Sequence, residues 1–118
     1  MKVGCIEREY GTTIPCVWLA DRWWSRSRGL LWRAPLAEAG SQALMIEPCA
    51  SVHTFGMGYA LDLVFLDSRR RVCGWRERLV PWRAAACRGA RTTVEFHAGT
   101  LENLCPQMGE AWIWRSVT

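Results

Sequence analysis

The chain has 118 residues, half of them apolar and eight of them Trp, with a formal net charge of +4. That length is typical of one domain and sufficient to bury a core without metal or disulfide staples. The composition excludes a disordered tail and a coiled coil.

Taken in chain order, “TTIPCVWLA” (12–20) is rich in β-branched and aromatic residues and reads as a strand. Asp21 follows as an N-cap for “RWWSRSRGLLWR”, in which Trp23, Trp24, Ser27, Leu30 and Leu31 share one helical face. Pro35 ends that helix. “QALMIEP” (42–48) is a short apolar strand. “YALDLVFLD” and “RVCGWRERLV”, separated by “SRR”, have the layout of a hairpin. “ARTTVEFHAG” alternates Thr92, Val94 and Phe96 against Thr93, Glu95 and His97, the pattern of a half-buried strand. Thr100 is placed to cap a short helix, “LENLC”; Pro106 and Gly109 break the chain before a last strand, “AWIWRSV”. About six strands and two short helices, without regular helical crossovers, predict a mainly β fold. The expected architecture is a small antiparallel sandwich or partly open barrel, in one domain over residues 1–118, with helices closing its ends.

Fourteen of the fifteen basic residues are Arg, and the densest run, Arg69-Arg70-Arg71, falls at the expected hairpin turn. Acidic residues are spread among the basic ones, so a solvated loop is the simpler reading and nucleic acid is not the expected partner. The N-terminal “MKVGCIEREYG” has no apolar segment of signal-peptide length, and no window reaches transmembrane length. A cytoplasmic location, with reduced thiols, is therefore expected. The six cysteines form no Cys-x-x-Cys pair, and small buried hydrophobes are the simplest account of most of them. No cofactor or metal is expected. Cys49, His53 and Cys87 are the candidates for a soft-metal set or a nucleophile–base pair. With no glycine-rich phosphate loop, Gly-x-Ser-x-Gly elbow or His-Glu-x-x-His motif, catalytic residues stay unassigned.

Four blocks carry a resemblance: “SRGLLWR” (27–33), “IEPCASVHTFGMGYALDLVFLD” (46–67), “PWRAAACRGAR” (81–91) and “VEFHAGT” (94–100). In this order and spacing they resemble the domain of unknown function 192 family over about residues 17–112. They are most similar to its short, leaderless branch, which has a similar Cys-x-x-x-His-Thr-Phe-Gly-Met string. The resemblance implies a mainly β, roughly jelly-roll-like domain found in bacterial and archaeal proteins, and no established activity. The chain departs from the pattern at Gly58, where the branch tends to have Arg. It departs again at Ala60, which replaces a Pro, and at “DSRRRV”, which replaces an aspartate-and-glycine turn.

Asp62 stands inside an apolar strand, where a carboxylate costs several kcal/mol unless it is paired or hydrogen-bonded. Its candidate partners are Arg28, His53, Thr54 and the N–H groups of the loop in which Gly56 and Gly58 flank Met57. It could clamp that loop or orient His53. Two functional readings follow, with nucleic-acid binding through arginines a distant third. One is a binding or accessory module, monomeric, whose surface comprises Arg28, His53, Thr54, Met57 and Asp62 and whose partner is a small molecule or a protein. The other is an enzyme using Cys49 or Cys87 with His53, oriented by Asp62. Exposed Trp beside Arg would suit a carbohydrate platform or a protein partner.

Overall fold

The computed structural model describes residues 2–20, 41–54 and 58–117. They form nine strands and one short helix: β1 (Lys2–Arg8), β2 (Ile14–Ala20), β3 (Gln42–Ile46), β4 (Ser51–His53), β5 (Leu61–Leu66), β6 (Val72–Leu79), β7 (Ala84–Ala86), β8 (Thr92–His97), α1 (Thr100–Leu104) and β9 (Trp112–Ser116). Seven strands make one sheet in the order β6-β5-β8-β3-β2-β1-β9, and β4 and β7 make a second, two-stranded sheet. Neighbours are antiparallel except β2 and β3, which run parallel. The large sheet curls until its two edge strands meet at one end. There Arg71 bridges Ala111, the Val72 N–H donates to the Glu110 carbonyl at 2.9 Å, and the Trp112 N–H donates to the Arg70 carbonyl at 2.9 Å. Of the two expected architectures, this is the partly open barrel. The helix expected over 22–33 lies outside the described residues.

The curl creates two cores. Its concave side buries Ile6, Ile14, Val17, Ala43, Met45, Val64, Val94, Phe96 and Trp112, and α1 adds Leu101 and Leu104 as a plug. Its convex side buries Leu44, Ile46, Leu61, Leu63, Phe65 and Leu79 beneath Val52 of β4 and Ala85 beside it on β7. Strands covered on both faces should be apolar throughout, which accounts for the unbroken run of buried residues in β5. The same layering corrects the expectation for β8, which is buried from Thr92 to Phe96 rather than on one face only.

The “DSRRRV” turn works without the family's glycine. Asp67 Oδ1 accepts the N–H groups of Arg69 (2.8 Å) and Arg71 (3.0 Å). Arg70 takes the left-handed conformation at φ 63°. Its guanidinium forks onto Glu47, at 2.8 and 3.0 Å, and Arg71 reaches Glu9 at 3.6 Å and the Gly109 carbonyl at 2.8 Å. Two of the three arginines are thus committed to holding the turn and the seam between β6 and β9.

Beside this seam, Arg8 and Glu110 form a buried pair. Arg8 donates to Glu110 Oε1 through Nε (3.1 Å) and Nη2 (3.0 Å), and Nη2 also reaches the Leu104 carbonyl at 2.8 Å. The Trp112 indole N–H donates to the same carboxylate oxygen, and the Arg8 guanidinium lies 5.2 Å from the Trp112 ring centre. One cation therefore ties β1 to β9 and to the end of α1. Removing one partner of a buried pair strands the other charge. Arg8→Ala should lower folding stability by ~3–5 kcal/mol in urea titration; a loss under ~1 kcal/mol would show that Glu110 is solvated instead.

Candidate functional site

Asp62 is fully buried on β5, and backbone amides occupy both of its carboxylate oxygens. Oδ1 accepts the Arg78 N–H at 2.8 Å; Oδ2 accepts the N–H groups of Gly99 (3.0 Å) and Leu101 (2.9 Å). The first of these exists because β6 bulges. Leu61 faces Leu79 while Leu63 faces Arg76, so β6 carries an extra residue, and Arg78 sits at φ 52°. A bulge takes an N–H out of the ladder, and Asp62 receives it. The other two belong to the start of α1, whose cap residue Gly99 has φ 93° and whose Thr100 provides no side-chain cap. The clamp expected of Asp62 was onto the loop after His53; its hydrogen bonds among the described residues instead pin the β6 bulge and α1. Thr100, expected to cap the helix, instead has a buried hydroxyl without a hydrogen-bond partner.

Thr54 is also fully buried. Its hydroxyl donates to the Val80 carbonyl at 2.7 Å and accepts the Arg83 N–H at 3.0 Å. Its backbone N–H donates to the Arg83 carbonyl at 2.8 Å, and its carbonyl accepts the Trp82 N–H at 3.3 Å. One threonine thereby folds the β6–β7 connection, including Trp82 in the left-handed region at φ 64°. His53, exposed and opposite Ala84 in the β4–β7 register, stands beside that connection. Of the surface expected from sequence, His53 remains at the exterior and Thr54 and Asp62 serve the frame. Arg28 and Met57 lie outside the described residues.

The thiols are distributed differently from the expected Cys49, His53, Cys87 set. Ser51 pairs with Ala86 and His53 with Ala84, and the Cys87 N–H donates to the Ala50 carbonyl at 3.1 Å. Cys87 is therefore three residues along the strand from the residue facing His53, ~10 Å at the usual rise. Cys49 lies beyond the same end of β4 as Cys87 and lines a separate depression of about 430 Å³ with Pro48 and Arg91. That register separates Cys87 from His53 by too much for a thiol–imidazole pair. Among the described residues no three His, Cys, Asp or Glu side chains converge as a metal shell. Cys87 instead meets Cys73, sulfur to sulfur, at 3.6 Å.

On the convex side one carboxyl oxygen has no hydrogen-bond partner among the described residues. Glu95, 4% exposed, lies between Leu44 and Leu63 in register, and its Oε2 is buried without a hydrogen bond. Burial alone pushes its carboxyl up to about 8. The Tyr59 hydroxyl is likewise buried and unpartnered, and its pKa is raised by burial and then by the negative charge of Glu95.

Residues 6–113 match the DUF192 family, described as “Uncharacterized ACR”. The chain belongs to that family. UPF0127 proteins of Thermococcus sibiricus and Pyrococcus horikoshii are each 33% identical to it across 81% of this chain. The matches span 64% and 84% of those relatives' lengths, so the chain spans less than two thirds of the Thermococcus protein. Two solved structures share the fold, each at TM-score 0.78. A protein of unknown function from Novosphingobium aromaticivorans is 19% identical, with 97% of this chain and 84% of that one covered. A Sinorhizobium meliloti protein called a “putative transcription regulator” is 20% identical, with 96% and 92% covered. No helix among the described residues is long and apolar enough to cross a membrane.

In this DUF192 chain the sequence signal for Glu95 was present but read as surface alternation. A carboxyl in the middle of a strand whose neighbours Leu44 and Leu63 are both core leucines is the feature that identifies it. Because the folded pKa lies above the ordinary value of 4.5, the folded state keeps a proton that the unfolded state has lost. Stability from this group is full below about 4.5 and is lost as pH rises to about 8, at roughly 1.4 kcal/mol per pH unit at most. Glu95→Gln should therefore gain on the wild type between pH 5 and pH 8, read from urea midpoints across that range. A constant difference between the two proteins would show that Glu95 ionises normally.

Proposed function

We propose that the protein is a binding module that docks a protein partner through the β6–β7 connection and the adjoining edge of β4. The observation that carries this reading is Trp82, 65% exposed and held at a positive φ. A bulky residue in the left-handed region costs ~1–3 kcal/mol and persists where the surroundings enforce it, commonly at functional positions. Thr54 does the enforcing, with its buried hydroxyl and both backbone groups. The result displays an indole that folding would otherwise hide. Val80, on the same connection, is also exposed, so the surface has a second apolar anchor.

Charge favours an acidic partner. Arg83, next to Trp82 on the connection, is exposed and forms no ion pair with a described residue. Arg28 and Met57, the remaining residues of the surface expected from sequence, lie outside the described residues and are candidates for it from the “SRGLLWR” and “HTFGM” blocks alone. A second reading, single-stranded nucleic acid stacking on Trp82 with arginines on the phosphates, draws on the name of the Sinorhizobium meliloti neighbour.

A photo-crosslinker at His53, used in the native host with and without Trp82→Ala, tests the proposal. One partner protein should be captured by the parent. The indole is mostly outside the core, so Trp82→Ala should leave the unfolding midpoint nearly unchanged. It should weaken binding of the purified partner ~30-fold or more, as expected for a central aromatic anchor. Capture that is indifferent to Trp82 would refute the surface. Binding of a single-stranded oligonucleotide that falls steeply with salt and depends on Trp82 would install the second reading.

A further inference from the structure

The Cys73 and Cys87 sulfurs touch at 3.6 Å across two elements that otherwise share no ladder: β6 is an edge of the large sheet and β7 belongs to the small one. Three local features bring them together. Phe65 faces Gly74 while Leu66 faces Val72, so Cys73 is the extra residue of a second bulge in β6. Its thiol points to the Phe65 carbonyl at 3.5 Å. Gly74 leaves the room, since a Cβ there would lie 3.0 Å from the Cys87 sulfur. Cys87 also opens onto a cleft of about 130 Å³, lined by Gly74, Trp75, Arg76, Ala85 and Ala86, which separates the two strands.

We propose that Cys73 and Cys87 are a redox dithiol that exchanges with a carboxylate-bearing disulfide, of the glutathione disulfide class, entering through this cleft. Cys87 is the entry thiol because it lines the cleft, and Arg76 on the same wall offers a cation to the incoming carboxylate. The Cys87 thiolate, its proton given to solvent, attacks one sulfur of the external disulfide. That S–S bond breaks, a mixed disulfide forms on Cys87, and the first thiolate leaves and is protonated. The Cys73 thiolate then attacks the Cys87 sulfur, the sulfurs closing from 3.6 Å to the ~2 Å of a bond, and the second thiolate leaves. Two protein thiols are oxidised by two electrons and one external disulfide is reduced to two thiols. The order of steps agrees with the state of Cys73, whose thiol is pushed up to about 11 by burial and then by its contact with Cys87. A raised pKa leaves Cys73 mostly as the thiol, which suits the second, resolving step rather than the first attack. The bridge would fasten the small sheet, and with it the Trp82 connection, to the edge of the large one. It does not depend on what that connection binds.

The test is exchange of the full chain with mixtures of reduced glutathione and glutathione disulfide, followed by alkylation and peptide mapping. The wild type should yield a peptide pair joined through Cys73 and Cys87, reversed by a dithiol reductant. Cys73→Ser should accumulate one glutathione on Cys87, and Arg76→Glu added to it should slow that adduct severalfold. Cys87→Ser should take up glutathione on Cys73 at least tenfold more slowly. Bridges confined to Cys5, Cys16, Cys49 or Cys105, or no adduct on Cys87 in Cys73→Ser, would overturn the dithiol. An Arg76→Glu rate equal to its parent's would overturn the assignment of a carboxylate-bearing disulfide.

Discussion

A single carboxylate holds three parts of this protein in place. Asp62 collects amides from the β6 bulge, from the turn after β8 and from the first turn of α1. Each donor is one that regular structure leaves over: a bulge removes an N–H from its ladder, and a helix start has N–H groups without carbonyls. Gathering them on one buried anion satisfies donors that would otherwise be orphaned and gives the anion the hydrogen bonds that its burial demands. The bulge re-aims β6, and α1 is held where Leu101 and Leu104 close the concave core.

Thr54 does on the convex side what Asp62 does on the concave side. Both residues are buried and bonded to the backbone, although they stand out in the sequence for the reason a site group would: a polar side chain among apolar ones. What distinguishes them is the partner. Backbone amides and carbonyls, and not ionisable side chains, take up their capacity. Glu95 is the contrasting case, a buried carboxyl whose Oε2 has no hydrogen-bond partner among the described residues. It loads the folded state with a proton and makes the convex core the pH-sensitive one.

Much of the frame was legible in the sequence. The β5–β6 hairpin, β2, β3, β8, β9 and the short α1 follow from runs of β-branched and aromatic residues and their breakers. The rest was hidden for specific reasons. In β1 only Gly4 and Ile6 are buried, so “KVGCIER” carries almost no periodic signal. The strands β4 and β7 are three residues each, below the length at which alternation can be recognised. Missing them concealed the second layer, and without that layer β8 reads as half exposed and Glu95 as solvated. The candidate site was legible in part. The block around His53 stands out in the sequence as a candidate surface, but the role of Thr54 depends on the distant Val80–Arg83 segment, and no spacing rule connects the two. The meeting of Cys73 and Cys87 depends on a bulge, which shifts register by one and cannot be read from a hydrophobic pattern. The arginine triplet shows the converse: a basic run that composition alone associates with phosphate is partly consumed by Glu47 and Glu9.

The account divides the polar residues into a buried frame and an exterior surface, and Asp62 is where that division can be measured most directly. Amide hydrogen exchange would be compared between wild type and Asp62→Asn, an isosteric change that removes the charge and one acceptor oxygen. The account predicts that the Arg78, Gly99 and Leu101 amides lose protection well beyond the global change, with an overall destabilisation of ~2–4 kcal/mol. Amides of the β4–β7 sheet should follow only the global change. Protection at those three amides that is the same in both proteins would contradict it, because the carboxylate would then not be what organises the bulge and the helix.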